Sequence, residues 1–147
     1  MPEEPDISHE IDTDFHRFAS GSKARPQRLY GDLTQAIIGA AFEVHRELGH
    51  GFLEKVYVAA LTQELTRLGL KVATEAPIQV FYKGSDVGQY FADILVSGLV
   101  ICEIKAVRRL APEHEAQLLH YLKGTSMRVG LLINFGGSSV QVKRLVF

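Results

Sequence analysis

The chain has 147 residues, 46% of them hydrophobic and 22% charged, with one cysteine and a formal net charge of −1. That size and balance describe one ordinary globular domain with a single core. They exclude a disulfide framework and a four-cysteine zinc or iron–sulfur site, because Cys102 stands alone, and no apolar run is long enough to span a bilayer.

The start Met1-Pro2-Glu3-Glu4-Pro5-Asp6 lacks the basic and apolar regions of a secretory signal, so the expected compartment is the cytoplasm. Residues 1–30 mix acids, Ser, Gly and Pro without a sustained period and read as a mobile tail, with a short helix around Phe15 to Phe18. Those 30 residues hold six acids and four bases, which leaves the remaining domain with 12 bases and 11 acids. A protein that grips DNA by counterion release alone would be more basic. Any grip must therefore be local, with Lys105, Arg108, Arg109, Lys123, Arg128, Lys143 and Arg144 as candidates; taken singly, each reads as solvated surface.

From Asp32, a plausible N-cap, Leu33, Ile37, Ala40, Ala41, Val44 and Leu48 recur at three- and four-residue intervals and predict an amphipathic helix ending at Gly49. A second helix is expected from Phe52 to Leu68, burying Leu53, Val56, Ala60, Leu61, Leu65 and Leu68 and stopped by Gly69, so that the two form a hairpin. Strand signals follow at Lys71–Thr74, Ile78–Tyr82, Gln89–Val96 and Leu99–Val107, joined by turns at Lys83-Gly84-Ser85-Asp86 and Ser97-Gly98, which predicts an antiparallel meander. Pro112 opens a third helix running to Lys123 and closed by Gly124. Arg128–Asn134 and Val140–Val146 are the last strands, with a turn at Gly136-Gly137. The order predicts an α/β layer structure in which helices cover a mixed sheet, as one domain over residues 31–147.

Within this pattern three charges are out of place. Asp93 sits in the apolar run Tyr90–Val96, and Glu103 and Lys105 sit in the run Leu99–Ala106. Side chains alternate across a strand, so Leu99, Ile101, Glu103, Lys105 and Val107 share one face and Val100, Cys102, Ile104 and Ala106 the other. A strand apolar on both faces is central, and an unpaired carboxylate there is strongly disfavoured. An Asp on one strand and Glu-x-Lys on the next gathers two carboxylates and an ammonium around a divalent cation. The blander alternative is a structural ion cluster, in which Asp93 or Glu103 simply pairs with Lys105.

With those residues in view, the chain resembles the PD-(D/E)XK nuclease superfamily. Asp93 with Glu103-Ile104-Lys105 resembles its central motif, with Phe91-Ala92 where a proline often precedes the aspartate. Gln117-Leu118-Leu119-His120-Tyr121 resembles the Gln-x-x-x-Tyr motif of RecB-type and phage-type exonucleases, and Gly51-Phe52-Leu53-Glu54-Lys55-Val56-Tyr57 is similar to the signature of a small bacterial group, the GxxExxY proteins, over roughly residues 32–147. Each motif alone is weak, since Gln-x-x-x-Tyr is more often ordinary surface and packing and Tyr57 reads equally as a core residue. Their joint appearance in the superfamily's order is specific.

The resemblance implies a restriction-endonuclease-like core and a metal-dependent nuclease acting on nucleic acid, DNA first. Phosphodiester hydrolysis needs charge neutralisation, an activated water and a positioned leaving group, and Mg²⁺ or Mn²⁺ held by a few oxygens supplies much of this. The expected ligands are Asp93, Glu103, the carbonyl of Ile104 and Glu54, with Lys105 orienting the nucleophile or stabilising developing charge. Asp93, Glu103, Glu54 and Lys105 sum to a formal −2, which one Mg²⁺ balances. Gln117 and Tyr121, four apart on one helix face, are the expected nucleic-acid contacts, while Leu118, Leu119 and Leu122 would pack on the sheet. His120 is expected to point elsewhere and His114 to offer a phosphate contact, with a surface histidine as the plain reading of both; His45 and His50 carry no spacing that demands a metal. A competing reading is a non-catalytic nuclease-fold module that binds a protein or nucleic acid, and a homodimer or protein partner is what so small a core would need to embrace a duplex.

Overall fold

The computed structural model describes residues 28–147. The expected tail, apart from residues 28–30, lies outside them.

Three helices and five strands follow in the order α1 (Gly31–Leu48), α2 (Glu54–Arg67), β1 (Val72–Tyr82), β2 (Ser85–Val96), β3 (Val100–Lys105), α3 (Pro112–Gly124), β4 (Val129–Asn134) and β5 (Gln141–Val146). The strands form one sheet in sequence order. β3 and β4 are parallel and every other neighbouring pair is antiparallel, because only β3 and β4 are joined by a helix long enough to carry the chain back across the sheet. This is a mixed-sheet α/β architecture consistent with the restriction-endonuclease-like fold.

Each sheet face has its own core. Ile37, Ala41 and Val44 of α1 and Tyr57, Leu61 and Leu65 of α2 pack on Val100, Cys102, Ile104, Leu131 and Ile133. Leu118 and Leu122 of α3 pack on Ile101, Leu132 and Leu145 across the sheet. β3 is the middle strand, and its residues Val100–Ile104 are buried on both faces, as its composition predicts. Burial pushes the Cys102 thiol well above its ordinary range, consistent with a packing role.

Several boundaries differ from the sequence expectation. Asp32 lies inside α1; Tyr30, at φ 55°, occupies the N-cap position without a side-chain cap bond. α2 starts at Glu54, because Leu53 is still extended at φ −73° and ψ 157°. Leu53 and Leu68, expected in the core, are 70% and 54% exposed because they flank the helix instead of belonging to its buried stripe. β1 is continuous over both expected strand segments, and β3 ends at Lys105, where the chain leaves the sheet.

The β1–β2 hairpin carries the feature that shapes the site. Paired positions run Val72/Val96, Ala73/Leu95 and Thr74/Ile94, skip Glu75 and Asp93, and resume at Ala76/Ala92. Glu75 has φ 46°, left-handed backbone that a non-glycine residue rarely adopts. Tyr90, Ala92, Ile94 and Val96 would share one face of an unbroken strand. Here Tyr90 and Ala92 pack towards α3, whereas Ile94 and Val96 pack towards α1 and α2. The kink at Glu75 and Asp93 thus turns the hairpin over midway.

Candidate active site

The same kink opens the sheet. β2 pairs with β3 only from Ile94/Cys102 to Val96/Val100, so the two strands separate at the point where Asp93 would face Glu103. Asp93 Oδ2 instead accepts a hydrogen bond from the Ile104 backbone N–H at 2.8 Å. A strand residue directs its N–H and C=O to the same neighbour, so the Ile104 carbonyl also faces this fork.

Glu103 lies on the α3 side of the fork and is only 9% exposed. The Tyr90 hydroxyl donates a hydrogen bond to its Oε1. Its pKa is raised above the ordinary carboxylate value, first by desolvation and further by the Asp93 charge; the hydrogen bonds from Tyr90 and the Asp93 backbone, and the Lys105 charge, act the other way. The side-chain hydroxyl of Tyr90 is pushed up in turn by burial and by Glu103. Lys105, on the same face of β3 as Glu103, is half-buried; its carbonyl accepts from the Phe135 N–H at 2.9 Å, while its ammonium makes no hydrogen bond or ion pair among the described residues.

Two clefts reach this pair from opposite faces of the sheet. One, of about 520 Å³, is lined by Phe52, Leu53, Glu54, Lys55, Glu75, Asp93 and neighbours. The other, of about 500 Å³, is lined by Gln89, Tyr90, Phe91, Glu103, His120, Tyr121 and neighbours. The structure therefore brings Asp93, Glu103, Ile104 and Lys105 together and places exposed Glu54 across a shared cleft from Asp93. Tyr121 joins Glu103 in the second cleft, its ring stacked on Tyr90 with centroids 3.7 Å apart and planes 20° apart. Gln117 is exposed and lines neither cleft.

Glu54 owes its position to Tyr57. Gly49 and Gly51 take φ 68° and 115°, left-handed turns that glycine permits. The buried Tyr57 hydroxyl donates to the Gly49 carbonyl at 2.6 Å and accepts from the Phe52 N–H at 3.2 Å. Its ring stacks on Phe135 at 4.7 Å. The Gly-x-x-Glu-x-x-Tyr spacing thus folds a loop onto its own helix and leaves Glu54 at the helix start. On the far side, fully buried Asn134 accepts from the Val107 and Gly136 N–H groups and donates to the Val107 carbonyl, which fixes the chain just beyond Lys105.

Three side chains differ from expectation. His120 lines the Glu103 cleft beside Tyr121 instead of pointing away. His114 caps α3, its Nδ1 accepting from the Ala111 N–H at 2.9 Å. Arg144 is withdrawn from the surface cations: it is 4% exposed and donates to the Leu29 carbonyl at 2.7 Å. Sequence reasoning did not single out Glu75, Tyr90 or Asn134. Tyr90 and Asn134 left a faint signal, as polar groups inside apolar strands that need partners, whereas nothing in the local sequence marks Glu75 as left-handed.

Among the described residues no three His, Cys, Asp or Glu side chains converge, so a closed zinc-type cage is not formed. Two electrostatically coupled carboxylates with the Ile104 carbonyl at the same fork would suit a hard divalent cation that keeps several waters and takes a substrate phosphate. The mutual repulsion of Asp93 and Glu103 is what such a cation would relieve.

A family model described as the PD-(D/E)XK nuclease superfamily matches residues 31–145. No match is found among curated proteins. A solved structure titled "Crystal structure of SSO0001" is similar to this chain at 16% identity and a TM-score of 0.42, covering 92% of this chain and 74% of the other, a likeness too distant to bear on the site. With the match spanning the helix hairpin, the forked sheet and the Asp93, Glu103 and Lys105 positions, the chain belongs to the PD-(D/E)XK nuclease superfamily.

Proposed function

We propose that residues 31–147 form a divalent-metal-dependent nuclease domain of the GxxExxY kind, with residues 1–30 outside it, hydrolysing phosphodiester bonds in DNA. The observation that carries this reading is the meeting of the Asp93 and Glu103 carboxylates at the strand fork, with Lys105 on the Glu103 face. Such a pairing of like charges next to an unpaired ammonium is poor for stability and suited to a site.

Asp93, Glu103 and the Ile104 carbonyl would hold Mg²⁺ or Mn²⁺, with Glu54, across the cleft from Asp93, reaching it through water. The bound cation would neutralise phosphoryl oxygens and acidify a water. Lys105 would orient the attacking water, whose oxygen bonds to phosphorus as the P–O bond to the leaving group breaks, and would offset charge developing on the phosphoryl oxygens. Tyr121 and His120 line the cleft beside Glu103, and exposed Gln117, one turn before Tyr121, meets the nucleic-acid backbone along α3. Membership of a nuclease superfamily supports a nucleic-acid partner, and among the described residues no helix is long and apolar enough to cross a membrane.

The test is degradation of end-labelled DNA by the full chain in Mg²⁺ or Mn²⁺. Loss of cleavage in Glu103→Ala supports the reading. A parent that binds Mn²⁺ and nucleic acid yet cuts neither DNA nor RNA would favour the non-catalytic module.

A further inference from the structure

Tyr90 and Tyr121 both line the cleft at Glu103, and the proposed chemistry gives Tyr90 no part. Tyr90 is 8% exposed and stands on β2 with its hydroxyl bonded to Glu103 Oε1. Tyr121 lies flat against the other side of the Tyr90 ring. The resemblance to the Gln-x-x-x-Tyr motif treats Gln117 and Tyr121 as a matched pair facing the substrate, but the structure divides them: Gln117 is exposed and Tyr121 is half-buried against Tyr90.

We propose that Tyr90 is a positioning residue for Glu103 and that Tyr121 acts through it, its ring forming the wall that holds the Tyr90 hydroxyl on the carboxylate. This rests on the metal-dependent reading of the same site. β2 and β3 have parted at this level, so the sheet ladder itself no longer fixes where the Glu103 side chain lies relative to Asp93. A carboxylate in that position has several rotamers available, and the Tyr90 hydroxyl on Oε1, acting with the Asp93 backbone N–H, selects among them. By holding Oε1, Tyr90 sets where the Glu103 carboxylate stands beside Asp93. A Tyr ring cannot swing to follow a wandering carboxylate when a second ring lies flat on it 3.7 Å away. Two unrelated elements, β2 and α3, thereby set one metal ligand.

The test is Mn²⁺ binding by calorimetry on the full chain without nucleic acid, so that no cleavage is read. Tyr90→Phe keeps the ring and the stack and removes only the donor. It is expected to weaken Mn²⁺ about 10-fold or more, as loss of a group orienting a metal ligand does. Tyr121→Phe keeps the wall and should bind Mn²⁺ as the parent does, whereas Tyr121→Ala should weaken it like Tyr90→Phe. The double variant Tyr90→Phe/Tyr121→Ala should then be no weaker than Tyr90→Phe alone, which separates action through Tyr90 from a general loosening of α3. Parent-like affinity in Tyr90→Phe, equal losses in Tyr121→Phe and Tyr121→Ala, or additive losses in the double variant would each overturn the relay while leaving the metal site standing. A parent that binds no Mn²⁺ would overturn the metal reading and the relay together.

Discussion

The Asp93 carboxylate accepts the Ile104 backbone N–H at 2.8 Å, so a side chain from one strand closes a ladder position that its own backbone has vacated. One oxygen of Asp93 therefore has a structural duty and the other remains for the fork. Substitutions should separate the two. Asp93→Asn retains an acceptor for Ile104 and should unfold in urea within about 0.5 kcal/mol of the parent, whereas Asp93→Ala should cost about 1–3 kcal/mol by stranding the N–H. Both should lose Mn²⁺ binding, which calorimetry reads independently.

Glu103 supplies the pH prediction. Its pKa is raised in the folded state, so between the unfolded and folded values the native chain binds more protons than the unfolded one. Stability from this group is thus present at acid pH and lost as pH rises through the folded pKa. In the presence of a chelator, Glu103→Gln, which still accepts from Tyr90, should be more stable than the parent at pH 7.5. The gain should shrink towards pH 4. Urea midpoints at the two pH values check the sign; a gain that grows on acidification would contradict it.

Tyr57→Phe removes one donor to Gly49 and one acceptor for Phe52 while leaving the ring on Phe135. A loss of about 1–2 kcal/mol is expected in chemical denaturation. Hydrogen exchange should rise first in residues 49–53, the loop that carries the chain into Glu54, before the sheet is affected.

Glu75 tests the kink. Glycine is at ease at φ 46°, so Glu75→Gly should be neutral or stabilising, whereas Glu75→Val should cost about 1–2 kcal/mol in thermal or chemical unfolding. If valine is tolerated as well as glycine, the left-handed backbone at this position is not a constraint on the fold.

Much of this architecture was legible in the residues. The apolar character of both faces of Val100–Ile104 marked a central strand, and Pro112 and Gly124 bracketed α3 because proline and glycine act on the backbone locally. Asp93, Glu103 and Lys105 stood out because charge inside an apolar strand has few benign explanations. What stayed hidden depends on tertiary geometry. The kink at Glu75 and Asp93 reverses the side-chain alternation of β2, so a two-residue period cannot reveal that Tyr90 and Ile94 face opposite ways. The partnership of Tyr90 with Tyr121 joins β2 to α3 across 31 residues of chain, and only packing brings those rings together. Leu53 and Leu68 were misread because a helix period was extended past the point where the backbone stops being helical.

If the fork at Asp93 and Glu103 is a catalytic centre, Lys105 contributes to chemistry and not to metal retention. The direct measurement is cleavage of end-labelled linear DNA by the parent and by Lys105→Ala, with Mn²⁺ affinity determined on the same preparations. The parent should cut, and Lys105→Ala should hold Mn²⁺ at least as well as the parent but cut about 100-fold more slowly or worse. A parent that cuts no nucleic acid, or a Lys105→Ala variant that cuts at the parent's rate, would contradict it.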